Sequence, residues 1–226
     1  RRVREKGWKR GNSIPTTNGG QSREMEPSVY VKNDGTLVMI FRDQKGTYYK
    51  MGASSTDNGE NWTKAYLSNM PDSKSKQCAG NLPDGTCFIV NNPVNSSNRF
   101  PLAISLSKDG TTFTKAFMLR STNELPTKKY TDCKGVGYAY PKAMIDGDWL
   151  YIGYSQNKED VMFTRVPLQS LMLTSSIEDI HTSSHISNNN DSFYNLNGQR
   201  LNTNNSIPNG YKGIVVKNNK KYILTK

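Results

Sequence analysis

The sequence predicts an all-β chain built as β-propeller blades, followed by a small C-terminal β segment. Three observations carry that expectation. Turn residues recur at a blade-sized spacing, short β-prone runs flank each turn, and no stretch shows helical periodicity. Residues 28–32 form the first run. Asn33-Asp34-Gly35 then turns the chain, because a tight hairpin needs the positive φ that Asn, Asp and Gly tolerate. Residues 36–42 return, Lys45-Gly46 turns again, and 47–54 follow. A second unit repeats the plan, with Leu82-Pro83-Asp84-Gly85 leading into 86–91 and then 100–107. In the third, 140–145 and 149–155 flank Asp146-Gly147-Asp148, and 161–166 come next. Asp34, Asp84 and Asp146 lie 50 and 62 residues apart, a period that suits four-stranded blades.

Beyond residue 171 the composition shifts. Residues 174–191 are rich in Ser, Asn, His and Thr and read as a flexible linker. From 193 onward β character returns at 193–201, 213–216 and 221–224, too little to bury a sound core alone. Four segments are therefore expected: a basic stretch at 1–19, a partial propeller at 20–171, a linker at 172–191 and a β-type tail at 192–226.

Length and charge narrow the functions. The chain has 226 residues, 30 Lys and Arg against 19 Asp and Glu, and a net charge of +11. Residues 1–10 hold a net +5 and 192–226 a net +6, so the middle is balanced. Basic ends could meet a nucleic acid. With no basic helix or RNA-binding motif beside them they read as solvated termini, and no nucleic-acid partner is expected. Hydrophobic residues make up 34%, and no run of about 18 apolar residues exists to span a membrane. Two His and three scattered Cys (Cys78, Cys87, Cys133) supply no zinc ligand cluster, so neither metal nor cofactor is expected. The odd Cys count gives no complete disulfide framework, although one pair could form in an oxidising compartment.

The sharpest motif is Ser55-Thr56-Asp57-Asn58-Gly59-Glu60-Asn61-Trp62, with a shorter version in Ser107-Lys108-Asp109-Gly110-Thr111-Thr112-Phe113. In such a turn Asp caps backbone amides, Gly takes positive φ and the aromatic ring buries between sheets. Both resemble the Asp box of sialidase-like propellers, a fold marker at the outer turn with no catalytic role. A longer pattern strengthens the resemblance. Glu26-Pro27-Ser28-Val29 followed by Asp34-Gly35-Thr36-Leu37 and Arg42 is similar to the family's E-x-x-V…DG-x-L…R stretch. Arg99-Phe100-Pro101-Leu102 resembles the segment carrying a further arginine. Tyr138-Ala139-Tyr140-Pro141 resembles the one carrying the nucleophile, with Tyr140 the better match. The resemblance spans about residues 20–171 and is closest to bacterial sialidase-like proteins with Asp-box repeats.

That resemblance implies a six-bladed propeller in the parent protein, of which about three blades are present. It also implies a retaining exo-glycosidase acting on terminal sialic acids of glycans. Arg42 and Arg99 would clamp the substrate carboxylate, Tyr140 would attack the anomeric carbon and Glu26 would activate Tyr140. The chemistry is coherent. Guanidinium groups bind carboxylates bidentately at any working pH. A carboxylate nucleophile would be repelled there, so a tyrosine replaces it. A phenol of ordinary pKa near 10 then needs a neighbouring base. Singly, the arginines also fit strand-end residues paired with surface acids, Glu26 a strand entry, and Tyr140 a ring packed between blades. Their order, each ahead of its own hairpin, favours the site. Asp43 and Tyr48 lie near the same strands without an assigned role.

Two of the family's expected residues, a first triad arginine and an early general-acid aspartate, have no match in this sequence. The chain is accordingly expected to be the C-terminal half of a longer protein, weak or inactive alone. A non-catalytic glycan-binding propeller, a hydrolase of another acidic sugar and a structural propeller are the competing readings. The tail resembles the C-terminal segment of secreted Bacteroidetes proteins, which implies a secreted, periplasmic or cell-surface location.

Overall fold

A computed structural model of the chain describes residues 7, 10–15, 23–130, 135–172, 200–201, 213–217 and 220–224. The chain divides into two compact units, Arg1–Leu173 and Thr174–Lys226. The expected linker from residue 173 onward, the basic run at 1–6 and Cys133 lie outside the described residues.

The first unit holds three antiparallel sheets, and its fold is a β-propeller fragment. Sheet 1 contains β1 (Glu24–Val31), β2 (Leu37–Asp43), β3 (Tyr49–Ser55) and β4 (Tyr66–Pro71), in that order. Sheet 2 repeats the meander with β5 (Cys78–Asn81), β6 (Cys87–Asn91), β7 (Leu102–Ser107) and β8 (Lys115–Arg120). Sheet 3 has β9 (Tyr138–Asp146), β10 (Trp149–Gln156) and β11 (Asp160–Pro167), then one helical turn, α1 (Leu168–Leu171). The first strands of successive sheets meet, β1 against β5 and β5 against β9, as blades about a common axis require.

Local chemistry explains the repeat. In sheets 1 and 2 the first hairpin closes identically. The Gly35 amide donates to the Lys32 carbonyl, and the Gly85 amide to the Leu82 carbonyl, both at 2.9 Å. Asp34 and Asp84 each accept the backbone amide two residues on, Thr36 and Thr86, at 2.9 Å. Gly35 and Gly85 both sit at φ +83°, which side chains with a Cβ avoid.

Apolar seams join the sheets. Tyr30, Val38, Ile40, Met70, Cys87 and Ile89 cluster between sheets 1 and 2. A larger cluster between sheets 2 and 3 includes Phe88, Leu102, Ile104, Tyr138, Leu150 and Ile152. Cys78 and Cys87 are buried free thiols in these seams. Both Asp boxes adopt the expected turns. Ser55 and Ser107 hydroxyls donate to Asp57 and Asp109 at 2.8 Å, and Gly59 and Gly110 amides donate to the same hydroxyls at 2.9 Å. Phe113 lies in the seam of sheets 1 and 2, edge-on to Tyr30 at 6.1 Å. Trp62 differs. It packs on the other face of sheet 1, with Phe41, Met51, Ala53, Ala65 and Ile14. Residues 10–15 reach that face because the Pro15 carbonyl accepts the Ala65 amide at 3.0 Å.

The second unit contains the hairpin β12 (Gly213–Lys217) and β13 (Lys220–Leu224), paired from Gly213 with Leu224 to Lys217 with Lys220.

Candidate active site

Glu26, Arg42, Arg99 and Tyr140 share one end of the unit. Glu26 opens β1 and Arg42 closes β2, so both lie opposite the 32–36 hairpin. Arg99 lies between β6 and β7, opposite the 82–86 hairpin, and Tyr140 opens β9, opposite the turn at 147–148. The Asp boxes follow β3 and β7, whose C-terminal ends pair with Leu37 and Cys87 at the hairpin end. A strand of seven residues such as β2 therefore separates the boxes from the site by about 20 Å.

Two β-bulges contain two of the candidate residues. From Met25 to Ser28 β1 takes three steps while β2 takes two, from Arg42 to Ile40. The same irregularity sets residues 139–142 of β9 against 153–155 of β10. Each bulge holds a residue followed by proline, Glu26-Pro27 and Tyr140-Pro141. Proline has no N–H to leave unpaired in a broken ladder, which suits a bulge. Glu26 sits at φ +55° and Tyr140 at +56°, a strained conformation for side chains with a Cβ.

The pairings were only partly expected. Arg42 Nη1 meets Glu26 Oε2 at 3.3 Å, so the partner of Arg42 is the candidate base and not a surface acid. The Arg99 guanidinium carbon lies 5.5 Å from the centre of the Tyr140 ring, and Lys158 Nζ lies 5.9 Å from it. Tyr140 itself is 40% exposed, so its ring is not packed between blades. Its phenol is held below the usual value, first by hydrogen bonding to Arg99 and then by the charge of Lys158, while burial and the Glu26 charge oppose. Arg42 Nε and Arg99 Nη1 are buried donors without a hydrogen-bond partner. Unpaired guanidinium N–H groups are strong donors that suit an anionic group.

Backbone contacts fix the second pair. The Arg99 carbonyl accepts the Tyr138 amide at 2.7 Å. Gly137 makes that approach possible, since a Cβ there would stand 2.5 Å from the same oxygen. Asn157 clamps Gly137 from the other side, accepting its amide at 3.0 Å and donating to its carbonyl at 2.7 Å, which brings Lys158 to the phenol.

Sequence reasoning missed Lys50, Gln77 and Lys158. Lys50 is wholly buried and pairs with buried Asp72 at 2.9 Å. Its position inside an apolar strand was the available signal. Asp43 proves to be a turn organiser that binds Arg23, Thr47 and the Lys45 amide. The Tyr48 carbonyl accepts the Asp72 amide at 2.9 Å. Among the described residues no group of three or more His, Cys, Asp or Glu is placed to hold a metal. None of their helices is long and apolar enough to cross a membrane.

A family model described as a BNR repeat-like domain matches residues 2–153. The chain belongs to that family. Among solved structures, this BNR repeat-like chain is similar to a sialidase at 29% identity, with a TM-score of 0.52 over 64% of the chain. It spans only 13% of that sialidase's length. A Hadza microbial sialidase matches at 17% identity and TM-score 0.49, over 66% of this chain and 29% of its own. An α-L-arabinofuranosidase of Fusarium graminearum matches at 15% identity and TM-score 0.44, over 64% and 45%. No curated protein matches the chain. Family and structural likeness place this BNR repeat-like chain in the sialidase-like glycoside hydrolase fold.

Proposed function

We propose that this chain carries part of the active site of an exo-glycosidase that removes terminal sialic acids from glycans. One observation carries the reading: Arg42 and Arg99, at the same end of the unit, each keep a buried N–H unpaired, and Arg99 lies against a tyrosine whose phenol is eased toward ionisation. A sialic acid presents a carboxylate on its anomeric carbon, which those donors can take. Tyr140 Oη would form a bond to that carbon as the glycosidic C–O bond breaks, its own proton passing to Glu26 while the departing glycan oxygen takes a proton from water and leaves as the alcohol. Water then attacks the anomeric carbon of this tyrosyl glycoside and breaks its bond to Tyr140 Oη, giving retention through two inversions. Arg99 and Lys158 stabilise the phenolate, so the task of Glu26 is to receive the proton and not to create the negative charge.

The second reading is a glycan-binding propeller without turnover. It is favoured because this sequence matches neither the first triad arginine nor the general acid expected of the family. The division into basic stretch, partial propeller, linker and tail, and the export to the periplasm or cell surface, belong to the same proposal.

The test measures N-acetylneuraminate binding and fluorogenic sialoside turnover with the parent protein that carries this chain and with its Tyr140→Phe and Arg99→Ala variants. Arg99→Ala is expected to weaken binding about 10–100-fold. Turnover abolished by Tyr140→Phe supports the hydrolase, and binding without turnover supports the glycan binder. Binding that ignores Arg99→Ala removes both.

A further inference from the structure

We propose that Gln77 is the positioning residue for Glu26: its side-chain amide locks the β1 bulge that presents the Glu26 carboxylate, and the buried Lys50–Asp72 pair locks the amide. The inference deepens the active-site reading above and rests on it.

The geometry runs through three layers. Outermost is the bulge, where Glu26 holds φ +55° ahead of Pro27. A broken ladder leaves carbonyls without strand partners, and Pro27 brings no N–H to serve them. Gln77 serves them instead from the entry of the neighbouring sheet. Its Nε2 donates to the Glu26 carbonyl at 2.7 Å and to the Ile40 carbonyl at 2.9 Å, with the Ser28 hydroxyl at 3.1 Å. Both strands of the bulge are thus tied to one amide. The middle layer is that amide, 1% exposed. Its Oε1 accepts from Lys50 Nζ at 2.8 Å. An ammonium only donates, so the amide cannot flip: oxygen must face Lys50 and nitrogen the carbonyls. The innermost layer fixes Lys50. Its Nζ pairs with Asp72 Oδ1 at 2.9 Å and donates to the Ser75 carbonyl. Asp72 in turn accepts the Ser75 amide at 3.1 Å. Every group in the chain from Asp72 to Glu26 has one allowed role.

The chain of contacts gives Gln77 a consequence that packing alone would not. The Glu26 carboxylate pairs with Arg42 at 3.3 Å, and its charge opposes ionisation of the Tyr140 phenol. Displacing Glu26 must therefore alter Tyr140, although Gln77 does not touch it.

The experiment labels tyrosine Cζ with 13C in the full chain and assigns Tyr140 by the signal lost in Tyr140→Phe. Its titration midpoint is then measured in wild type, Glu26→Gln, Gln77→Met and the double variant. Glu26→Gln is expected to lower the midpoint by about 0.3–1 pH unit, since a nearby negative charge is gone. Gln77→Met should lower it comparably, and the double variant should go no further, because both act through one carboxylate. If Gln77→Met is folded and destabilised but leaves the midpoint where it was, Gln77 is only structural and the inference is wrong. Additive shifts in the double variant overturn it too, since Gln77 would then act by another route. If Glu26→Gln itself moves nothing, the fault lies in the active-site reading. Should Gln77→Met not fold, Gln77→Asn keeps the amide but withdraws it from the Glu26 carbonyl, and the same outcomes apply.

Discussion

Glu26 and Tyr140 repeat one device at different points of the chain: a candidate site residue at positive φ, then proline, inside a bulge of the first strand of its sheet. Strain of this kind costs about 1–3 kcal/mol and persists where surrounding contacts over-determine it. Gln77 does so for Glu26. Asp43 shows the complementary case, a buried carboxylate that serves stability. Burial opposes its ionisation, but hydrogen bonds from Arg23, Thr47 and two backbone amides hold its pKa down at about 2, against 3.8 unfolded. A carboxylate with a depressed folded pKa stabilises above the unfolded value and loses that contribution as pH falls through the folded one. Asp43→Asn should therefore cost about 2 kcal/mol at neutral pH and flatten the acid limb between about pH 4 and 2. Urea unfolding across that range checks it, and an acid limb as steep as wild type would contradict the assignment. At this scale the sequence singled out residues with an ordered motif around them, Glu26, Arg42, Arg99 and Tyr140, which the structure puts at one end of the unit. It did not reveal Gln77 or Lys50, because polar side chains look solvent-facing until the neighbouring sheet covers them.

Strands differ in how openly the sequence announces them. The hairpins at 32–36 and 82–86 were legible because turn chemistry is local, and so were the Asp boxes. The outer strands β4 and β8 were not anticipated. Most side chains of Lys115–Arg120 are exposed, so nothing enforces the alternation that marks a half-buried strand. The inner strand β5 was too short, at four residues, to show a pattern. The bulges were invisible for a related reason, since register depends on the partner strand. One prediction belongs to this level. The second Asp box does more than turn the chain: the Gly110 carbonyl accepts the buried Tyr30 hydroxyl at 2.7 Å, tying the box of sheet 2 to β1. Tyr30→Phe keeps the ring against Phe113 and removes only that bond, so it should cost about 1–2 kcal/mol with the site unchanged. Chemical denaturation together with the Tyr140 titration midpoint tests both halves. A change in that midpoint would mean that the box communicates with the opposite end of the strands.

The site draws on all three sheets: Glu26 and Arg42 from sheet 1, Arg99 from the β6–β7 connection and Tyr140 from sheet 3. Its geometry survives only if the sheets hold their relation, and the two seams do this differently. Sheets 2 and 3 share the larger apolar cluster, centred on wholly buried Ile104, Leu150 and Ile152. Sheets 1 and 2 share a smaller one, reinforced by polar ties such as Asn81, which accepts the Val31 amide at 2.8 Å and donates to its carbonyl at 2.7 Å. Arrays whose repeats touch only their neighbours can unfold piecemeal. Here β5 and β6 contact both flanking sheets, which couples the seams through one short sheet. Ile104→Ala should then cost about 2–5 kcal/mol and be felt beyond its own seam. Trp149 reports sheet 3 and Trp62 reports the far face of sheet 1, so single-tryptophan variants can follow each separately. Coincident denaturation midpoints, lowered equally by Ile104→Ala, are the expected result. If Trp149 unfolds early while Trp62 keeps its wild-type midpoint, sheet 1 is independent. The pairing of Glu26 with Arg42 would then outlast the loss of Tyr140 from the site.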